Sequence, residues 1–338
     1  MDLKPKPWQH KDLLGIEQLS AHDIAQIFQA AVSMKEILER PIKKLPTLRG
    51  KSVGMLFYEA STRTRVSFET AAKTLGADVG AFAVNTSSVS KGESLLDTAK
   101  TLDAMKFDLI VIRHASSGAA AFLADNLSAG VINAGDGQHE HPTQALLDAF
   151  TLCERFGPGA PSETVPGTGT KTDYTKTVPD KLLAGRKIVI VGDILHSRVA
   201  RSNALCLRRL GADVTFVGPP TLLPPEMACW DVTISHDLDA VLQGADAVMA
   251  LRLQLERQKS GLFPSVQEYA KLYGLTVGRL KQTCRETLLL HPGPMNRGVE
   301  IDSELADSFS SVVEEQVTNG VAVRMALIYL LIGGGFNS

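Results

Sequence analysis

Apolar residues recur along this chain in short blocks that alternate between two periods. In "SAHDIAQIFQAAVSMKEILER", Ile24, Ile27, Phe28, Ala31 and Met34 fall at helical spacing behind Ser20, a residue suited to accept from a free helix N–H. "KSVGMLF" is short and apolar enough for a buried strand, and a helical pattern follows from about Thr62 to Leu75. "GADVGAFAV", "FDLIVIRH" and "GVINAGD" read as further strands, with helices predicted near Ser94 to Ala104 and over "HPTQALLDAFTLCERFG". After a break the rhythm restarts: "RKIVIVGD", "ADVTFVGP", "DAVMALRL" and "ETLLLHPGP" are strands, separated by "SRVARSNALCLRRLG", "HDLDAVLQGA" and a stretch containing "PSVQEYAKLYG". A short acidic helix and a long apolar one close the chain.

Repeated β–α units predict parallel sheets covered by helices. The expected fold class is α/β with two domains, each a parallel sheet flanked by helices, and an active site in the cleft between them. The boundaries fall at 1–150, joined by the C-terminal helix 311–338, and at 151–310. Residues 158–181 are rich in Gly, Pro, Ser and Thr and read as an irregular exposed insertion. A length of 338 residues agrees with two cores.

Charge narrows the function classes. Thirty-five basic residues against 37 acidic ones give a net charge of −2, so no global field recruits nucleic acid or an acidic membrane surface. The apolar C-terminal segment is interrupted by Arg324 and is short of the about 20 residues that span a bilayer. The N-terminus lacks the apolar core of a signal peptide, and the four cysteines are scattered, so a cytoplasmic location is expected.

Polar clusters stand at the ends of the predicted strands: "EASTRTR", "RHAS", "GDGQHEHPTQ", "GDILHSR", "LRLQLER" and "HPGPMNRG". Ligands of open α/β sheets bind beyond the C-terminal ends of the strands. In "STRTR", Ser61, Thr62, Arg63 and Thr64 open a helix, where unpaired N–H groups and a partial positive charge favour an anion. Hydroxyls and a guanidinium then complete a phosphate cradle, although a capped helix with solvent-facing arginines fits the same letters. His139 and His141 suggest a metal pair, but Pro142 disrupts a helical H-E-x-x-H and no third ligand stands at a recognisable spacing. "VIVGD" resembles a dinucleotide strand without the glycine-rich turn.

The ordered set "STRTR", "KGES", "RH", "HPTQ", "SRVARS", "RLQLER" and "HPGPMNRG" resembles the transcarbamoylase family along almost the whole chain. Within the family it looks like the aspartate carbamoyltransferases. Ornithine carbamoyltransferases carry an H-C-L-P segment and a D-x-x-x-S-M loop, where this chain has "HPGP" and "LRLQLERQ". The resemblance implies transfer of the carbamoyl group of carbamoyl phosphate to the α-amine of L-aspartate, an early step of pyrimidine (UMP) biosynthesis, with no metal or other cofactor. The first domain would then bind carbamoyl phosphate and the second aspartate.

Residue by residue, the resemblance puts carbamoyl phosphate on Ser61, Thr62, Arg63, Thr64, Ser87, Arg113, His141, Gln144, Pro292 and Gly293. Thr64, Arg113 and His141 would face the carbonyl oxygen and Gln144 the carbamoyl NH2. L-Aspartate would meet Lys91, Arg198, Arg252 and Gln254; two carboxylates call for cationic donors, as ornithine's ammonium would not. Arg201, Arg208 and Arg209 read as solvated. Ser87 and Lys91 are implied to enter a neighbouring subunit's site in a homotrimer with shared active sites. Glu59 would pair with Arg198 and Arg257 on domain closure. Gly293 stands where some members carry leucine, which leaves the backbone there open. Regulatory chains or dihydroorotase as partners are also left open. Two other readings remain: a sister transcarbamoylase using another amine, and a non-catalytic α/β protein that keeps the anion site.

Overall fold

The computed structural model describes residues 8–82, 94–157, 172–253, 265–283, 286–308 and 310–333. Helix α1 (Ala21–Glu39) starts with a reciprocal cap. Ser20 Oγ accepts the Asp23 N–H at 3.2 Å, and the Asp23 carboxylate accepts the Ser20 N–H at 2.8 Å. Beyond it lie β1 (Ser52–Phe57), α2 (Thr62–Thr74), β2 (Asp78–Phe82), α3 (Leu95–Ala104), β3 (Leu109–His114), α4 (Ala119–Asn126), β4 (Gly130–Asp136) and α5 (Pro142–Phe156). The strands form one parallel sheet in the order β2-β1-β3-β4.

The second series is β5 (Lys187–Val191), α6 (Arg198–Arg209), β6 (Asp213–Val217), β7 (Thr233–Ser235), α7 (Leu238–Leu242), β8 (Ala247–Ala250), α8 (Val266–Tyr273), α9 (Val277–Leu280), β9 (Leu288–Leu290), α10 (Ser303–Ala306) and α11 (Val313–Ile332). Its sheet is also parallel, in the order β7-β6-β5-β8-β9. All of β4 and β8 is buried, as expected of strands covered on both faces. The fold class is therefore α/β with two parallel sheets flanked by helices. β7 is an addition to the expected set: its three residues are too few for any alternation to show in the sequence.

The chain packs into two compact units. The first holds the described residues up to Phe150, those from 172 to Pro179 and those from Thr318 onward; the second holds those from Thr151 to 157 and from Asp180 to Val317. In the first, Leu56, Leu102, Ile110, Ile112, Leu123 and Val131 form a core beneath α3 and α4. In the second, Val189, Val191, Val217, Leu238, Val248 and Leu289 do the same. α5 and α11 run from one unit into the other. Among the described residues, no helix is long and apolar enough to cross a membrane.

Within the described part of the expected exposed insertion, 172–181, one residue departs from that expectation. Tyr174 is 1% exposed, with its ring 5.6 Å from Phe28 and 6.3 Å from Phe150. Its N–H donates to Gln29 Oε1 at 2.8 Å, and short 3-10 turns run over Tyr174–Lys176 and Pro179–Lys181. Averaged composition hides one aromatic, yet burying one ring is worth about 2–3 kcal/mol, enough to pin a local turn. Residues 158–171 lie outside the described residues.

Removing the Tyr174 ring should therefore destabilise the first unit. Tyr174→Ala is expected to cost about 3 kcal/mol in urea unfolding, and Tyr174→Phe, which keeps the ring, less than half of that. Equal unfolding midpoints for wild type and Tyr174→Ala would contradict the packing role.

Candidate active site

In the first unit the site grows from the C-terminal ends of β1, β3 and β4. Phe57 registers with Arg113, and the Tyr58 N–H donates to the Arg113 carbonyl at 2.9 Å, so the loop leaving β1 runs beside the end of β3. Ser61 precedes α2 with extended φ and makes no side-chain cap, so its hydroxyl does not take up the first helix N–H groups. Thr62 and Arg63 are exposed, Ser61 is half-buried and Thr64 is buried. Arg65 instead pairs with Glu69 one turn on, at 2.8 Å.

Arg113 is largely buried. Its Nη1 donates to the Ala134 carbonyl at 3.2 Å, and its Nε lies 3.2 Å from Glu59 Oε2. Glu59, which the resemblance pairs with Arg198 and Arg257 on domain closure, lies beside Arg113 within the first unit. Burial lowers the His114 pKa, while its Nδ1 accepts the Ser116 N–H at 2.9 Å.

The turn after β4 is built on Asp136, which is buried and accepts N–H bonds from Gly118 at 2.7 Å, Asn133 Nδ2 at 2.8 Å and Glu140 at 3.2 Å. Glu140 takes the Ile16 N–H through both oxygens, at 3.1 and 3.0 Å. The two histidines of the motif separate here: His139 is exposed and leans on Asp136 at 3.1 Å, whereas His141 is buried and its carbonyl accepts the Gln144 N–H at 3.0 Å. Gln144, in the first turn of α5, donates Nε2 to Asp148 Oδ1 at 2.9 Å.

In the second unit, β5, β8 and β9 are neighbours, and their C-terminal ends carry Arg198, Arg252 and Pro292–Gly293. Arg198 is the first residue of α6 and is 4% exposed; Ser197 caps the helix by accepting the Ala200 N–H at 3.1 Å. The turn before it is held by Asp193, fully buried, against His196 Nδ1 at 2.8 Å. Arg201 and Arg208, read as solvated, are half-buried and have neighbours: Arg201 lies 5.4 Å from the Trp230 ring centroid, and Arg208 pairs with the exposed Asp231. Arg252 is half-buried directly after β8.

The loop after β9 has a fixed backbone. Gly293 has φ +65°, in the left-handed region that favours glycine, so the glycine that stands in place of leucine has a conformational reason. His291 Nδ1 accepts the Gly293 N–H at 2.8 Å, which leaves the proton of a neutral ring on Nε2, 3.3 Å from Glu300 Oε1. The same oxygen accepts the Asn296 N–H at 2.5 Å, and His291 and Glu300 are both buried. Ser87, Lys91, Gln254 and Arg257 lie outside the described residues.

Sequence reasoning missed Asp148, His291, Glu300 and the Asp193–His196 pair. Asp148 had a visible signal, an acid one helical turn beyond Gln144 on a helix otherwise apolar on that face.

An uncapped helix start beside an arginine on the adjoining strand gives this α/β protein a strand edge whose partial positive charge favours an anion. Residues 11–154 match the family model of the carbamoyl-P binding domain of aspartate/ornithine carbamoyltransferase, and residues 184–331 match that of its Asp/Orn binding domain. The chain belongs to the aspartate/ornithine carbamoyltransferase family.

It is 61% identical over 328 residues to the aspartate carbamoyltransferase catalytic subunit of Desulfitobacterium hafniense, covering 97% of each chain, and 55% identical to that of Heliobacterium modesticaldum, again covering 97% of each. Aspartate transcarbamoylase of Trypanosoma cruzi, solved with carbamoyl phosphate and aspartate, superposes with a TM-score of 0.81 at 28% identity over 97% of this chain and 100% of that one. Ornithine carbamoyltransferase of Pyrococcus furiosus gives 0.78 at 27% identity, over 97% and 99%.

Glu300 braces the β9 loop through two hydrogen bonds in a buried place. Glu300→Ala should cost about 2–3 kcal/mol in chemical unfolding, and Glu300→Gln, which keeps an acceptor, about 1 kcal/mol. Loss of the brace would be refuted by an Ala variant as stable as wild type.

Proposed function

We propose that this chain transfers the carbamoyl group of carbamoyl phosphate to the α-amine of L-aspartate, giving N-carbamoyl-L-aspartate and phosphate in an early step of pyrimidine biosynthesis. The observation that carries the reading is the meeting of the α2 N-terminus, Arg113 and the start of α5 at one strand edge. The names of the relatives select the amine.

In this reading Ser61, Thr62, Arg63, Thr64 and Arg113 hold the phosphate. The amine nitrogen attacks the carbonyl carbon, the new N–C bond forms, and the C–O bond to phosphate breaks with its electron pair on the leaving group. The amine loses one proton, which ends on the departing phosphate. Negative charge gathers on the carbonyl oxygen during attack, so donors from Thr64, Arg113 and His141 stabilise the transition state more than the bound substrate. Leaving phosphate departs into positive surroundings. The carbonyls of Pro292 and Gly293 accept the amine N–H, and the Gly293 N–H bond to His291 supports that direction.

Arg198 and Arg252, with Gln254, take the two carboxylates of aspartate. Burial of Arg198 favours this, since a guanidinium drawn out of water binds an anion more strongly. Ornithine would bring an ammonium against these cations. Ser87 and Lys91 complete the site of a neighbouring subunit in a homotrimer, and the enzyme works in the cytoplasm.

With carbamoyl phosphate present, L-aspartate should release phosphate and L-ornithine should not; release with ornithine alone would assign the sister activity, and release with neither a binding role. His141→Ala should lower kcat about 10²–10³-fold. Arg198→Ala should raise the aspartate KM about 100-fold with little change for carbamoyl phosphate. Shared sites are tested separately: mixed and reassorted Lys91→Ala and His141→Ala chains should recover part of the activity, and no recovery after verified reassortment would remove that element.

A further inference from the structure

Behind Gln144 lie two buried ionisable side chains that the proposed reaction does not use. Asp148 is fully buried one helical turn beyond Gln144 and accepts its Nε2–H at 2.9 Å. Arg324, on α11, is 4% exposed and lies within the electrostatic reach of Asp148. Its Nη1 donates to Ser67 Oγ at 2.9 Å, and its guanidinium carbon sits 5.1 Å from the Phe68 ring centroid, both on α2. Room for it comes from Gly320 one turn earlier: a Cβ there would stand 2.8 Å from Arg324 Nη1.

Burial lowers the Arg324 pKa to about 10, with Asp148 opposing the shift, so the guanidinium stays charged at neutral pH. An ionised carboxylate only accepts hydrogen bonds, so it takes the NH2 end of the Gln144 amide. The remaining end of that amide is Oε1, an acceptor.

We infer that Asp148, which accepts the Nε2–H of Gln144, fixes the amide orientation of Gln144 and thereby makes the site select a carbamoyl group over an acyl group of the same shape. This rests on the proposed reaction, in which Gln144 meets the carbamoyl NH2. Asp148 and Arg324 are positioning residues that act through Gln144. The substrate NH2 finds the acceptor it needs; the methyl of acetyl phosphate, in the same place, leaves Oε1 without a donor. The selection would fail if Gln144 were free to turn its own NH2 toward the substrate.

The test is Asp148→Asn, because an asparagine both donates and accepts and allows Gln144 either orientation. Three quantities are read on the full chain at saturating L-aspartate: kcat/KM for carbamoyl phosphate, and the competitive Ki of acetyl phosphate and of inorganic phosphate. The variant is expected to lose about 10- to 100-fold in kcat/KM while both Ki values move less than about threefold. An equal loss for all three ligands, or an unchanged ratio in a folded variant, overturns the inference.

Where the lone Arg324 charge prevents folding, Asp148→Asn with Arg324→Met removes both buried charges together and carries the same expectation. The two levels of failure stay distinct. No N-carbamoyl-L-aspartate from wild type overturns the proposed reaction and this inference with it, whereas an active wild type with an unchanged variant ratio overturns the inference alone.

Discussion

Parallel strands run the same way, so every loop that leaves a strand emerges on one edge of the sheet. The rest of this molecule depends on that constraint. It carries the polar segments after β1, β3 and β4 to one edge of the first unit, and those after β5, β8 and β9 to one edge of the second. The segments are far apart in sequence and each is short. Only the parallel order makes neighbours of Arg113 and the head of α2.

The electrostatics follow from that placement. A net charge of −2 supplies no general attraction for a doubly charged phosphate. In the proposed reaction, attraction therefore comes from local sources: the α2 N-terminus, Arg63 and Arg113. The field of a helix end falls off within about one turn, so these groups must crowd together to act as one. Glu59 beside Arg113 is the counterweight, holding the guanidinium in place at the edge where anions are favoured.

Much of this was legible in the letters. Strand blocks, the Ser20 cap and the α2 start at Thr62 follow from short-range rules that operate within a few residues, and the structure agrees on each. What was not legible depends on partners distant in sequence. Tyr174 looks like part of a polar loop until Phe28 and Phe150 surround it. Arg201 and Arg208 look solvated until Trp230 and Asp231 come beside them. Arg324 was noticed only as an interruption of an apolar run, although a lone charge inside a buried helix demands a buried counterpart. Of the candidate site, residue types at strand ends were readable; the hydrogen-bond polarity behind them was not.

That polarity has the same origin in both units. Backbone and side-chain amides, like neutral imidazoles, have two chemically different ends, and nothing in their own shape decides which end faces a ligand. In the first unit Asp148 takes the donor end of Gln144. In the second, His291 accepts the Gly293 N–H, and Glu300 faces the other ring nitrogen, which fixes the tautomer. Glu300 is itself held in place by accepting the Asn296 N–H, so each buried carboxylate leaves its partner only one end with which to meet a ligand or the chain.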